Sequence, residues 1–115
     1  MNPNSYEMTP SDIKIIHTGF GTKKGSTVKS WKRRWFVLLS NGSLRYFSDK
    51  FAPDEKGRME INKSTDIIIS PSNQGEIPVQ IINKTRTLMI NFCNIAEAEE
   101  WAEKLNFVKD NLPAQ

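Results

Sequence analysis

The sequence contains one cysteine and one histidine, and it has no long hydrophobic run. A single cysteine, Cys93, excludes an internal disulfide and is typical of a reducing compartment. No apolar stretch approaches the roughly 20 residues that a membrane-spanning helix needs. The first dozen residues lack the basic and apolar regions of a secretory signal. A chain of 115 residues with these absences is therefore predicted to be one cytoplasmic domain.

Patterns that indicate catalysis are also missing. The sequence has no phosphate-binding glycine loop, no dinucleotide fingerprint and no metal-ligand spacing. The only histidine, His17, has no evident acid or nucleophile partner, so we expect it to be structural or exposed. The sequence therefore predicts a non-catalytic domain without a metal or a cofactor.

Positive charge is concentrated in one third of the chain. Residues 13–50 hold nine Lys or Arg and a single acid, Asp49, although the whole chain is only +3. Such a polarised domain attracts anionic partners and orients on them. A basic face that is merely solvated is the alternative that the charge count leaves open.

Short runs of β-branched and aromatic residues, separated by turn residues, predict seven strands. They are expected at about residues 14–21, 30–39, 43–47, 58–61, 66–69, 79–83 and 87–93. Between the second and third runs, Asn41-Gly42 predicts a two-residue type I′ hairpin.

The last segment changes to the 3.6-residue period of an amphipathic helix, with Asn94 as its N-cap and Trp101 facing the core. The expected fold is mostly β (α+β), a seven-stranded antiparallel curled sheet or barrel capped by one C-terminal α-helix. We expect residues 1–12 to be a flexible segment and residues 13–112 to form the domain.

The segment KSWKRRWF, residues 29–36, places three consecutive cations between two tryptophans. Because side chains alternate along a strand, Lys32 and Arg34 share a face with Phe36, whereas Arg33 shares the other face with Trp35. Phe36 suits the interior of a curled sheet, which places Lys32 and Arg34 at its mouth. An ammonium and a guanidinium on one face there could bracket a phosphate group.

The stretch GFGTKKGSTVKSWKRRWFVLL, followed by LRYF, resembles the start of a pleckstrin homology (PH) domain. The closing helix, with its single tryptophan, is similar to that of the same family, and the resemblance spans about residues 13–108. It implies the family's seven-strand barrel. Its phosphoinositide-binding members hold the lipid with basic residues and a tyrosine on the first three strands, and the matching positions are Lys23, Lys32, Arg34 and Tyr46.

Lys29 and Lys56 match further basic residues of such members. The loop before Trp31 resembles that of members preferring lipids phosphorylated at the inositol 3 position. Two positions depart from the family pattern. Gly21 replaces a large aliphatic residue and is expected to loosen the first strand, and Thr27 replaces a basic residue and is expected to lower affinity.

The resemblance implies a module that binds phosphoinositide headgroups and recruits a larger signalling protein to the inner face of the plasma membrane. General attraction to the anionic membrane surface is expected from Lys24, Arg33, Arg45 and Lys50. For Val28, insertion into the headgroup region and packing within the loop are equally compatible with the sequence. The position of the domain resembles that in protein kinase B-like kinases, with exchange factors and adaptors as alternative parents.

Two other function classes remain open at this point. The same fold can offer a sheet edge or its helix to a protein partner, such as a peptide or a small GTPase. Cations between Trp31 and Trp35 also resemble a stacking platform for single-stranded nucleic acid. The acidic C-terminal half argues against that second alternative, so no nucleic-acid partner is expected.

Overall fold

The computed structural model describes residues 12–24, 30–51, 54–70 and 75–113. Of the segment expected to be flexible, residues 1–12, only Asp12 belongs to the described residues. The elements, in chain order, are β1 (Ile15–Lys24), β2 (Trp31–Leu39), β3 (Ser43–Phe47), β4 (Glu55–Glu60), β5 (Asp66–Ile69), β6 (Ile77–Ile82), β7 (Thr87–Phe92) and α1 (Ile95–Asp110).

All seven strands belong to one antiparallel sheet with the order β4-β3-β2-β1-β7-β6-β5. β1 pairs with β2 from Ile15 to Lys24, with a register shift between Ile15 and His17, and it pairs with β7 only near its own end, at Thr22 and Lys23. Side chains beyond β6 then reach the edge strand β4: Asn83 Nδ2 donates to the Glu60 carbonyl at 2.8 Å, and Arg86 Nη1 donates to the Arg58 carbonyl at 2.8 Å. These bonds help to hold the curled sheet closed.

The interior of the sheet is filled by aliphatic and aromatic side chains, and α1 covers it. Phe36, Ile81, Ile90 and Leu105 are fully buried. Trp101 of α1 is only 3% exposed, and its ring stacks on that of Phe92 with 5.8 Å between centroids. The prediction that Trp101 anchors the helix to the core is confirmed.

The helix begins as its sequence predicts. Asn94 has an extended backbone, and its side-chain oxygen accepts from the Glu97 amide at 2.9 Å. At the other end, the amide of Asn111 donates to the carbonyls of Phe107 and Val108. Among the described residues, no helix is long and apolar enough to cross a bilayer.

The hairpin between β2 and β3 differs from its prediction. Leu38 pairs with Leu44, which leaves a loop of three residues, and the Gly42 amide donates to the Leu39 carbonyl at 3.1 Å. Gly42 has φ +96°, and no other residue of this loop has positive φ. This is a type I turn followed by a left-handed glycine, whereas a type I′ turn needs positive φ at both central residues.

The physical reason lies in Ser40, which would flank a two-residue loop. Its amide donates to the Lys14 carbonyl at 2.8 Å, and its hydroxyl accepts from the Lys14 amide at 2.9 Å. Ser40 is thereby held by the segment before β1 rather than by β3. The prediction of a type I′ turn at Asn41-Gly42 was wrong because the contact between Ser40 and Lys14 joins residues that are distant in sequence.

The first strand is regular at Gly21, where the sequence predicted a looser strand. β1 runs unbroken from Ile15 to Lys24 and is three residues longer at its end than predicted. Gly21 is buried, and a Cβ there would lie 2.5 Å from Ile90 Cγ2 and 3.1 Å from Phe92 Cε1. Large side chains from β7 fill the volume that a side chain at this position would occupy.

Candidate functional site

Antiparallel pairing gathers many cations at one end of the sheet. The β1–β2 connection lies there because Lys24 pairs with Trp31, and the β3–β4 connection lies there because Phe47 pairs with Trp35. The β6–β7 connection lies there too, because Lys23 pairs with Ile90 and the antiparallel β7 begins beyond the end of β1. We call this region the basic end; its described cations are Lys23, Lys24, Lys32, Arg33, Arg34, Lys50, Lys56, Lys84 and Arg86.

Lys23 and Lys32 face each other directly across β1 and β2. Arg34 pairs with Gly21, two residues further along β2 toward the core. Like charges in directly opposed positions repel each other and destabilise the sheet. In the described part of the chain, the salt bridges with Asp or Glu are made by Arg45, Lys56 and Arg58, not by these three cations. The cluster therefore has a net positive charge that an anion would neutralise.

Tyr46 forms the floor of this cluster. The residue is 6% exposed, and Lys23 Nζ lies 4.9 Å from its ring centroid. A Cβ on Gly57, its partner on β4, would collide with the ring, so a glycine there lets the ring lie flat over the strand. The structure thus brings Lys23, Lys32, Arg34 and Tyr46 to the same mouth of the sheet, as the sequence predicts.

Arg86 is a neighbour of this cluster that the sequence did not single out. It lies between β6 and β7, and its Nη2 donates to the Tyr46 hydroxyl oxygen at 2.9 Å. Because the oxygen accepts this bond, the hydroxyl hydrogen remains able to donate to a ligand. The strand order was the signal that could have revealed Arg86, since it places the β6–β7 connection at the basic end.

Arg33 lies on the outer face, as alternation predicts. Its Cζ is 3.6 Å from the centroid of the Phe20 ring, which meets the Trp35 ring edge-on at 4.8 Å. Arg34, by contrast, follows the inward parity of Phe36, and its Nη1 donates to the Arg33 carbonyl at 3.2 Å. The two neighbouring arginines are therefore presented to different surroundings.

The remaining predicted residues have varied surroundings. Lys24 is exposed, and its carbonyl accepts from Lys23 Nζ. Arg45 lies 3.8 Å from a carboxylate oxygen of Glu55, and Lys56 Nζ is 2.8 Å from one of Asp54. Lys50 Nζ lies over the ring of Trp35 at 5.6 Å. Lys29, with Thr27 and Val28, lies outside the described residues.

His17 belongs to a different region, where β1 meets α1. Its ring packs edge-on against that of Trp101, with 4.5 Å between centroids. Burial lowers the pKa of His17, the carboxylate of Glu100 opposes this shift, and the charge of Lys104 adds to it. This environment favours the neutral imidazole and agrees with a structural role.

The family model for the PH domain matches residues 15–110. The chain belongs to the PH domain family. This PH domain is 34% identical over 97 residues to a RAC family serine/threonine-protein kinase homolog of Dictyostelium discoideum, covering 83% of the chain and 21% of that protein. It is 29% identical over 97 residues to the mouse dual adapter for phosphotyrosine and 3-phosphotyrosine and 3-phosphoinositide, covering 84% of the chain and 34% of that protein. The chain thus spans about a third or less of these relatives.

Solved structures show the same architecture. The C-terminal PH domain of pleckstrin has a TM-score of 0.69 at 22% identity, covering 83% of this chain and 97% of that one. Its complex with D-myo-Ins(1,2,3,4,5)P5 has a TM-score of 0.67 at 21% identity, covering 84% and 99%. The predicted fold class is confirmed. PH domains are non-catalytic modules, so no reaction is assigned to the chain.

Proposed function

We propose that this PH domain binds phosphoinositide headgroups and recruits a larger signalling protein to a membrane. The observation that carries the proposal is the opposed pair Lys23 and Lys32, with Arg34 beside it and Tyr46 beneath it. The names of the relatives support it, because one is an adapter for 3-phosphoinositide and one pleckstrin structure holds an inositol pentakisphosphate.

In this proposal the ligand supplies the negative charge that the cluster lacks. A phosphate between Lys23 and Lys32 replaces their mutual repulsion with two charge-assisted hydrogen bonds. Arg34 adds a planar pair of donors, and Tyr46 donates its hydroxyl hydrogen while Arg86 holds the oxygen.

Lys29 and Lys56 are proposed to close the sides of the headgroup. For Lys56 this requires exchanging the carboxylate of Asp54 for a phosphate oxygen. Its contribution to binding is therefore expected to be smaller than that of Lys32. A preference for lipids phosphorylated at the inositol 3 position is part of the proposal, and it rests on the β1–β2 loop length and the adapter's name.

The other cations are proposed to add unspecific attraction to the anionic leaflet. A cation near such a surface contributes about 1 kcal/mol, and salt screens this contribution. Lys24, Arg33 and Lys50 are available for this role, whereas Arg45 already lies near Glu55 and is expected to contribute less. The plasma membrane as destination and a kinase or adaptor as parent protein belong to the same proposal.

A lipid panel tests the proposed function. Vesicles that each contain one phosphoinositide would be compared with vesicles of phosphatidylserine alone and with a single-stranded oligonucleotide, at low and physiological salt. We expect selective binding to a 3-phosphorylated lipid that persists at physiological salt. Loss of all binding at physiological salt would mean that the basic end attracts anions only by general electrostatics. That result would favour a protein partner.

A further inference from the structure

The basic end carries two large apolar side chains that are exposed to solvent. Phe51, in the β3–β4 connection, is 87% exposed, and Trp31, the first residue of β2, is 45% exposed. The other strongly exposed apolar side chains of the described residues lie elsewhere, on β1 at its opposite end, on β5 and on α1: Ile15, Ile68, Ile95 and Phe107. Phe51 is the most exposed of the set.

Phe51 stands at the end of a continuous row of rings and cations. Arg33 covers Phe20, Phe20 meets Trp35, and Lys50 Nζ lies 5.6 Å from the Trp35 centroid and 5.5 Å from the Phe51 centroid. Contacts between a cation and an aromatic face are attractive. The row therefore positions Phe51 beside a cation, outside the cluster of Lys23, Lys32 and Arg34.

An exposed ring beside a cation, at the basic end of the sheet, is suited to one kind of partner in particular. Aromatic side chains favour the boundary between headgroups and acyl chains, and neighbouring Lys and Arg are attracted to anionic headgroups there. A single weak anchor gives only marginal, reversible membrane binding, so a second anchor strengthens attachment substantially. The charge of the basic end and the position of both aromatic residues thus match an anionic lipid surface.

Building on the proposed function, we propose that Phe51, assisted by Trp31, inserts into the headgroup–acyl boundary of an anionic membrane. The cluster of Lys23, Lys32 and Arg34 would hold one headgroup, while Phe51 forms an apolar anchor on the side of the β3–β4 connection. The domain would then approach the bilayer leaning toward the outer face of β2, which brings Arg33 and Lys50 to the surface.

Phe51→Ala tests this inference, with Phe107→Ala as the matched control. Phe107 is also an exposed phenylalanine, but it lies on α1. Each protein would be measured against a soluble inositol phosphate by calorimetry, and against vesicles containing the lipid with the same headgroup. We expect Phe51→Ala to keep its affinity for the soluble headgroup and to lose about tenfold in affinity for the vesicles, since an inserted ring leaves water.

The control and the soluble ligand separate the outcomes. Phe107→Ala is expected to match the parent in both assays. Parental vesicle binding by Phe51→Ala would overturn the inference while leaving the proposed function intact, as would an equal loss of affinity for the soluble headgroup. An equal loss of vesicle binding in Phe107→Ala would also overturn it. A parent protein that binds neither ligand would overturn the proposed function, and the inference with it.

Discussion

Arg33 and its two neighbours, Lys32 and Arg34, are all cations, but they lie on different faces of β2. Arg33 stacks on Phe20 at the outer face, whereas Lys32 and Arg34 follow the inward parity of Phe36. Alternation along a strand is a property of the backbone, so this difference could be predicted from the sequence alone. It separates the proposed phosphate ligands from a residue expected to contribute only general attraction.

Gly21 is the position of the first strand at which the sequence departs from the family pattern. We expect Gly21→Ala to lower the free energy of unfolding by about 1–3 kcal/mol, because the added methyl would overpack Ile90 and Phe92. Urea denaturation measures this change. An unchanged or higher stability would show that β1 accommodates the bulk found at this position in the family.

His17 is expected to make stability depend on pH. Its pKa in the folded state lies below its ordinary value of 6.5, mainly because of burial. The unfolded chain therefore binds a proton more readily than the folded one. The contribution of His17 to the free energy of unfolding is present above pH 6.5 and is lost as the pH falls through the lowered pKa. Urea denaturation between pH 7.5 and pH 5 should show a smaller loss of stability for His17→Gln. Equal losses in the two proteins would contradict the lowered pKa of His17 as a source of the pH dependence.

At the scale of the element, the helix is the part of the fold that its own sequence specifies best. Asn94→Ala removes the acceptor for the Glu97 amide and is expected to destabilise the domain by about 1 kcal/mol. The matched control is Asn106→Ala on the same helix, where the side chain donates to the Ala102 carbonyl. Thermal unfolding should show the larger decrease for Asn94→Ala. A larger decrease for Asn106→Ala would contradict the capping role.

Some strand and turn boundaries could not be predicted from the residues around them. β4 begins at Glu55, three residues earlier than predicted, because Glu55 pairs with Phe47 although its surrounding sequence is polar. The turn after β2 follows the bonds between Ser40 and Lys14 rather than the Asn-Gly pair. In both cases a partner distant in sequence decides the structure, and the window of residues around the position does not contain it.

At the scale of the whole molecule, the site exists only because several strand ends meet. Lys32, Arg34 and Tyr46 could be identified from alternation and from the resemblance to the family. The opposition of Lys23 and Lys32 depends on the register of β1 and β2, and the bond from Arg86 to Tyr46 depends on the curl that brings β7 near β4. Those relations required the structure.

The central claim is that inward parity, not total charge, makes a cation at this end a ligand. Its most direct test is the affinity of Lys32→Ala, Arg34→Ala and Arg33→Ala for phosphoinositide vesicles at low and physiological salt, with thermal unfolding to verify the fold. The first two should lose about ten- to hundredfold at both salt concentrations, as expected for lost hydrogen bonds between charged groups. Arg33→Ala should lose less, and its loss should shrink as salt rises. Equal effects for all three, or parental binding by Lys32→Ala and Arg34→Ala, would contradict the claim.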